Sequence, residues 1–228
     1  DNFYRLFDDI KEKQYDGLII TGAPLALIAY EQVTFWDKIC EVFDWAEKNV
    51  TSTMFSCWAA HAALYHHYGI QRKLRTKKLA GVYQHTPEDP REPLTRGFEE
   101  EFNVPHSRYG YIDVADYSTV ADLKIIAQSN KAGVYLVAST NKQQVYLTGH
   151  PEYDASTLDE EFHRDLKLDK DSAIPENYYI NNDTALPPHS SWRSHGSLLF
   201  TNWLNYYVYQ ITPYQLDSYA IQAIHPEL

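Results

Sequence analysis

The stretch Val50-Thr51-Ser52-Thr53-Met54-Phe55-Ser56-Cys57-Trp58-Ala59-Ala60-His61-Ala62-Ala63-Leu64 changes character at one residue. Before Cys57 the residues are β-branched and apolar, the pattern of a short buried strand. After it they are alanine-rich, the pattern of a helix. A cysteine between the two stands on a sharp turn and points up from the sheet edge. There the first helical N–H groups and the positive end of the helix dipole favour a thiolate. α/β enzymes build a nucleophile elbow in this way. The competing reading is a small buried cysteine that packs as a hydrophobe, and this stretch alone leaves both open.

Working outward, Asp16-Gly17-Leu18-Ile19-Ile20-Thr21 reads as a buried parallel strand that ends in a tight Gly22-Ala23-Pro24 loop. Residues 3–14 read as a short amphipathic helix. Residues 34–48 carry Phe35, Ile39, Val42, Phe43 and Ala46 at helical spacing. The helix after Cys57 stops at Gly69. Residues 71–95 are basic and then rich in Pro, Glu and Asp, which predicts loop or short-strand material. Strand patterns recur at 123–128, 133–138 and 143–148, with Asn141-Lys142 as a hairpin turn. Residues 156–167 read as a helix capped by Thr157, 168–190 as polar connection, and 191–211 as a long aromatic helix. Strands alternating with helices predict an α/β fold with a mostly parallel sheet. Ligands in such sheets sit at the carboxyl ends of the strands. Thr21-Gly22, Cys57 and His150 all fall at or just beyond strand ends, so they are expected to share one site.

Composition narrows the function classes. The chain has 228 residues, 44% of them hydrophobic, which makes one domain the default reading. Nineteen tyrosines and five tryptophans predict large, partly polar packing surfaces. The net charge of −11 is offset by no Lys/Arg-rich run, which argues against nucleic-acid binding. The two cysteines, Cys40 and Cys57, form no disulfide framework, and a reducing, cytoplasmic setting fits them. No apolar run reaches the roughly 18–20 residues of a membrane span, and no signal peptide is visible. The chain begins Asp1-Asn2-Phe3-Tyr4 rather than with methionine, so a preceding segment is expected.

A thiol needs a base to act as a nucleophile at neutral pH, and the base needs an orienting group. His150 is the candidate base. Glu152, two residues on across Pro151, is the candidate orienter, giving a Cys57-His150-Glu152 triad. The competing reading is a His-Pro turn with a solvated glutamate. An oxyanion hole needs backbone N–H donors. Trp58 supplies one, and Leu25 or Ala26 the other, since Pro24 has no N–H. A plain glycine turn would also account for Gly22. The ten histidines show no metal-ligand spacing: His66 and His67 are adjacent and cannot share a helix face. No metal and no cofactor is expected. Lys77-Lys78, Arg108, Arg164 and Arg193 read as isolated, solvated cations.

Several longer segments resemble one family. They are Thr21-Gly22-Ala23-Pro24, Cys57-Trp58-Ala59-Ala60, Lys78-Leu79-Ala80-Gly81-Val82-Tyr83, Arg96-Gly97-Phe98, Pro105-His106-Ser107-Arg108, Gly149-His150-Pro151-Glu152-Tyr153-Asp154 and Asn202-Trp203-Leu204-Asn205-Tyr206-Tyr207-Val208-Tyr209-Gln210. In order and over essentially the whole chain, they resemble the homoserine O-acyltransferases of methionine biosynthesis. The resemblance implies a flavodoxin-like three-layer sandwich of the class I glutamine amidotransferase type. It implies a single acyltransferase domain over 1–228, lacking an N-terminal segment of the full-length protein, and a homodimer. It also implies a ping-pong reaction. Cys57 takes the acyl group from acyl-CoA as a thioester. The hydroxyl of L-homoserine then attacks, with His150 taking its proton and Glu152 orienting His150. Lys78, Ser107 and Arg164 match family positions for substrate binding. Ala26 matches the position of acyl-CoA specificity, where the family carries glutamate for acetyl-CoA and glycine for succinyl-CoA. Alanine neither fills the pocket nor repels a carboxylate, so succinyl-CoA is the expected donor. Acetyl-CoA as donor, serine as acceptor, and a glutamine amidotransferase-like thiol hydrolase are the alternatives, with a catalytically silent binding protein further off.

Overall fold

The computed structural model describes residues 4–168 and 172–213. In chain order its elements are β1 (Tyr15–Ile20), α1 (Trp36–Asn49), β2 (Val50–Ser56), α2 (Trp58–Tyr68), β3 (Lys73–Pro87) and β4 (Phe102–Tyr111). The one-turn helix α3 (Val114–Tyr117) follows, then β5 (Leu123–Ser129), β6 (Gly133–Ser139), β7 (Gln144–Leu147), α4 (Thr157–Leu168) and α5 (Arg193–Trp203). The last helix continues as a π-helical segment over Leu204–Tyr209. The strands form one sheet in the order β1-β2-β7-β6-β5-β3-β4.

Helices cover both faces of this sheet, because its central strands are apolar on both sides. Met54 and Phe55 are consecutive and both buried, so they face opposite layers. Phe55 and Tyr146 pack with Phe43 of α1 and the alanines of α2. Met54, Val145 and Leu147 pack with Leu199, Trp203, Tyr207 and Val208. The small residues Ala59, Ala60, Ala62 and Ala63 are fully buried, which lets α2 lie close against the strands. A third, smaller cluster joins α4 through Leu158 and Phe162 to Val82, Tyr178, Tyr179 and Trp192.

The α/β class holds, but the sheet is less parallel than expected. β2 runs parallel to β1 and β7. The pairs β3–β4, β3–β5, β5–β6 and β6–β7 are antiparallel. The short connections at 130–132 and 140–143 leave no room for a crossover helix, so β5, β6 and β7 fold back as hairpins. The second turn is the expected one, with Lys142 at a φ of 63°. Asn141 Oδ1 accepts from the Gln143 N–H at 3.0 Å there. Residues 71–95 also differ from expectation. They hold the 15-residue strand β3, whose basic first half stays largely exposed and gains its order by pairing with β4. Within 3–14 only Phe7–Asp9 is helical, as one 3-10 turn with no buried residue, and Phe3 lies outside the described residues. A short segment without a packed face does not sustain a longer helix.

Parallel register matters most for function. Ile20 pairs with Phe55 and Ser56 pairs with Leu147. The carboxyl ends of β1, β2 and β7 therefore finish at one level of the sheet.

Candidate active site

Cys57 is the single residue between β2 and α2, and its backbone is strained, with φ 52° and ψ −113°. A non-glycine residue in that region persists only where its surroundings enforce it. Here the Cys57 N–H donates to the Leu147 carbonyl at 2.7 Å, tying the elbow to the end of β7. The loop after β1 presses on the same point. A Cβ on Gly22 would come within 3.0 Å of the Cys57 Cβ and 3.3 Å of the Trp58 nitrogen. Glycine is what allows this approach. The Trp58 N–H opens α2 and has no intrahelical acceptor by position. The Leu25 N–H is spent on the Ala23 carbonyl at 2.8 Å. Ala26, on the same loop, is the better second donor of the two expected candidates.

His150 reaches this point from β7. Its backbone N–H donates to the Pro105 carbonyl of β4 at 2.8 Å. Gly149 before it lies flat on β4: a Cβ there would meet Val104 Cγ1 at 2.7 Å and His106 Cε1 at 2.8 Å. The imidazole Nδ1–H donates to Glu152 Oε1 at 2.8 Å, which leaves Nε2 for the sulfur. Burial works against a charged His150, but hydrogen bonds to Cys57 and Glu152 and the charges of both outweigh it and raise its pKa to about 10. At neutral pH the imidazolium is therefore the held form, set against a sulfur and a carboxylate. The ring of Tyr153 stacks on the imidazole, with centroids 4.2 Å apart and planes 18° apart.

The three expected substrate residues also converge, through two acids that sequence reasoning passed over. The Ser107 hydroxyl donates to Glu161 Oε2. Lys78 Nζ donates to the same oxygen at 3.4 Å and to Asp165 Oδ2 at 2.7 Å. Arg164 donates to Asp165 Oδ1 from Nε at 3.1 Å and Nη2 at 2.9 Å, its side chain largely exposed. The phenol of Tyr153 donates to Glu161 Oε1 at 2.8 Å. Burial would raise the Asp165 pKa, but the bonds from Lys78 and Arg164 carry it below the usual carboxylate value. Glu161 and Asp165 lie four apart on α4, hence on one face. Two like charges on one helix face were the available signal that a cation sits opposite.

Arg108 is a correction. Expected as a solvated cation, it is buried. Its Nε donates to His106 Nδ1 at 3.2 Å, and its Nη1 and Nη2 donate to the carbonyls of Gly110 and Ala132. Accepting at Nδ1 makes His106 a donor at Nε2, 3.2 Å from the Nε2 of His85. His85 in turn donates from Nδ1 to the Tyr83 carbonyl at 2.8 Å. Burial keeps both rings neutral, holding His106 well below the ordinary histidine range and His85 at about 4. This satisfied stack is the floor on which Gly149 rests.

A strained elbow sulfur beside an imidazole that can hold and return a proton, with an oriented carboxylate and helix N–H donors alongside, can attack an activated carbonyl and hold the product as a thioester. Comparison with known proteins narrows the substrate. The family model described as homoserine O-succinyltransferase matches residues 1–214. The homoserine O-succinyltransferase of Pseudoalteromonas atlantica is 56% identical over 221 residues, covering 97% of this chain and 72% of the relative. That of Alteromonas mediterranea is 53% identical over 220 residues, covering 96% and 70%. Among solved structures, a glutamine amidotransferase from Thermotoga maritima superposes with a TM-score of 0.60 at 14% identity, covering 84% of this chain and 78% of that one. Another from Methylobacillus flagellatus gives 0.57 at 11%, covering 83% and 76%. At such identities the likeness speaks for the fold alone.

Proposed function

The chain belongs to the homoserine O-succinyltransferase family, and we propose that Cys57 carries the succinyl group of succinyl-CoA as a thioester before handing it to the hydroxyl of L-homoserine. The observation that supports this route is the His150 imidazole, oriented by Glu152 Oε1 at 2.8 Å and raised in pKa by Cys57 and Glu152 together. The Cys57 thiolate attacks the thioester carbonyl of succinyl-CoA. The oxyanion gathers the N–H groups of Trp58 and Ala26. Collapse expels the CoA thiolate, which takes the proton of the His150 imidazolium. Neutral His150 then accepts the hydroxyl proton of homoserine as its oxygen attacks the acyl-enzyme. Collapse of the second intermediate releases O-succinylhomoserine and restores thiolate and imidazolium. The chemistry calls for no metal or cofactor, acyl-CoA being a substrate.

The cluster on α4 suits the acceptor. A free amino acid brings one ammonium and one carboxylate. Glu161 is fixed at both oxygens and offers the anion, while Lys78 and Arg164 offer the cations. Binding exchanges partners within an ion-pair cluster, so little new charge has to be desolvated. Ala26 leaves the acyl pocket without a repelling carboxylate, in keeping with a succinyl donor. Neither acetyl transfer, serine acylation nor glutamine hydrolysis is favoured by the family match. In keeping with the expectation drawn from the sequence, we take the working unit as a cytoplasmic homodimer. Among the described residues no helix is long and apolar enough to cross a membrane. Free CoA release, measured with each of succinyl-CoA and acetyl-CoA against homoserine and serine, tests the assignment. Succinyl-CoA with homoserine is expected to be the fastest pair. Faster turnover with acetyl-CoA would contradict it.

A further inference from the structure

Tyr153 touches two parts of the site that work at different times. Its ring lies face to face with the imidazole of His150, while its phenol donates to Glu161 Oε1 at 2.8 Å. The backbone between them is pinned. The Tyr153 N–H donates to the His150 carbonyl at 3.2 Å, and the Tyr153 carbonyl accepts from Trp192 Nε1 at 2.9 Å. Trp192 is buried at 1% exposure. A Cβ on Gly196 of α5 would come within 2.4 Å of the Pro151 carbonyl, so the turn from His150 to Tyr153 sits hard against that helix. Tyr153 therefore has little freedom of its own.

From this geometry we infer that Tyr153 is a positioning residue for the acceptor half-reaction, fixing Glu161 relative to the base His150. Glu161 has its second oxygen on Ser107 and Lys78. The Tyr153 phenol decides which way the remaining lone pairs of the first oxygen face. Because the same side chain carries the imidazole on its ring, the amine anchor and the proton-accepting nitrogen are spaced by one rigid residue. Attack by the acceptor oxygen needs that spacing; acylation of Cys57 by CoA thioester does not. Burial and the charges of Glu161, Cys57 and Glu152 raise the phenol's pKa, so it stays a donor throughout.

The inference rests on the acyl-enzyme reading above, and the two are separated by measuring the half-reactions in turn. The first is the burst of CoA released from succinyl-CoA without acceptor; the second is steady-state turnover against homoserine. Tyr153→Phe keeps the ring and removes the phenol. It is expected to leave the burst rate within about twofold of wild type and the KM for succinyl-CoA unchanged. The KM for homoserine should rise about tenfold, because Glu161 loses the donor that orients its acceptor-facing oxygen before homoserine binds. Tyr153→Leu removes the stacked ring as well and is expected to slow the burst. In Glu161→Gln the phenol no longer orients a charge, so adding Tyr153→Phe should raise the homoserine KM by less than twofold more. A Tyr153→Phe enzyme with wild-type homoserine KM, or with burst and homoserine turnover lost in parallel, would overturn the inference. A wild-type protein without a burst would instead overturn the acyl-enzyme reading on which it stands.

Discussion

Ser56 and Leu147 pair in parallel register at the ends of β2 and β7. One residue beyond the first stands Cys57, and three beyond the second stands His150. The residues between them in sequence are taken up by α2 and by β3 to β7, so it is the pairing of β2 with β7 that brings sulfur and imidazole to one end of the sheet. The loop after β1 arrives at the same level through the pairing of Ile20 with Phe55.

The pH profile follows from His150. Its pKa is raised by Cys57 and Glu152 to about 10, above the ordinary histidine value near 6.5. The imidazolium persists through neutral pH and is lost as pH rises through the raised value. The alkaline limb of kcat/KM for succinyl-CoA should therefore lie far above an ordinary histidine limb. Glu152→Gln removes one raising influence and should move that limb to lower pH. A limb that stays in place in this variant would remove Glu152 from its assigned part.

Gly149→Ala tests the seating of the base. The added methyl meets Val104 Cγ1 at 2.7 Å and His106 Cε1 at 2.8 Å, both buried and close-packed. Overpacking of this kind costs about 1–3 kcal/mol, read as a lower midpoint in urea. Displacing His150 by a fraction of an ångström to one ångström should cost on the order of 10²-fold in the CoA burst. A wild-type burst would show that the base does not depend on this floor.

Ala26→Glu addresses donor choice. If Ala26 borders the acyl group as proposed, a carboxylate there opposes the distal carboxylate of succinyl-CoA and leaves acetyl-CoA untouched. Like charges at close range cost several kcal/mol, so the succinyl-to-acetyl ratio of kcat/KM should fall by about 10²-fold or more. An unchanged ratio would detach Ala26 from the acyl group.

Arg164→Lys separates planar recognition from charge. Arg164 already meets Asp165 through two nitrogens, and its side chain is largely exposed. Stability should be unaffected. The homoserine KM should rise about tenfold, because lysine cannot present a fork to a carboxylate. Wild-type KM would place the acceptor carboxylate elsewhere.

What was legible in the chain follows physical lines. The elbow could be read because a buried strand and an alanine-rich helix abut at Cys57. His150 and Glu152 could be read because they follow a strand within one short turn. The antiparallel half of the sheet was hidden because strand pattern carries no direction, although the Asn141-Lys142 turn already implied a hairpin. β3 was hidden because its basic half is exposed and is a strand only through long-range pairing with β4. Lys78 and Arg108 looked alike as lone cations. Only packing distinguishes one held by Glu161 and Asp165 from one buried on His106 and two carbonyls. Lys78, Ser107, Arg164 and Ala26 were marked by family resemblance, not by any local pattern.

The central claim is that Cys57 bears the acyl group, and intact-protein mass spectrometry after incubation with succinyl-CoA in the absence of acceptor tests it most directly. The wild-type protein is predicted to gain the mass of one succinyl group and to lose it on addition of homoserine, while Cys57→Ala gains nothing. A succinyl adduct that persists in Cys57→Ala, or a wild-type protein that forms product without ever carrying one, would contradict the account.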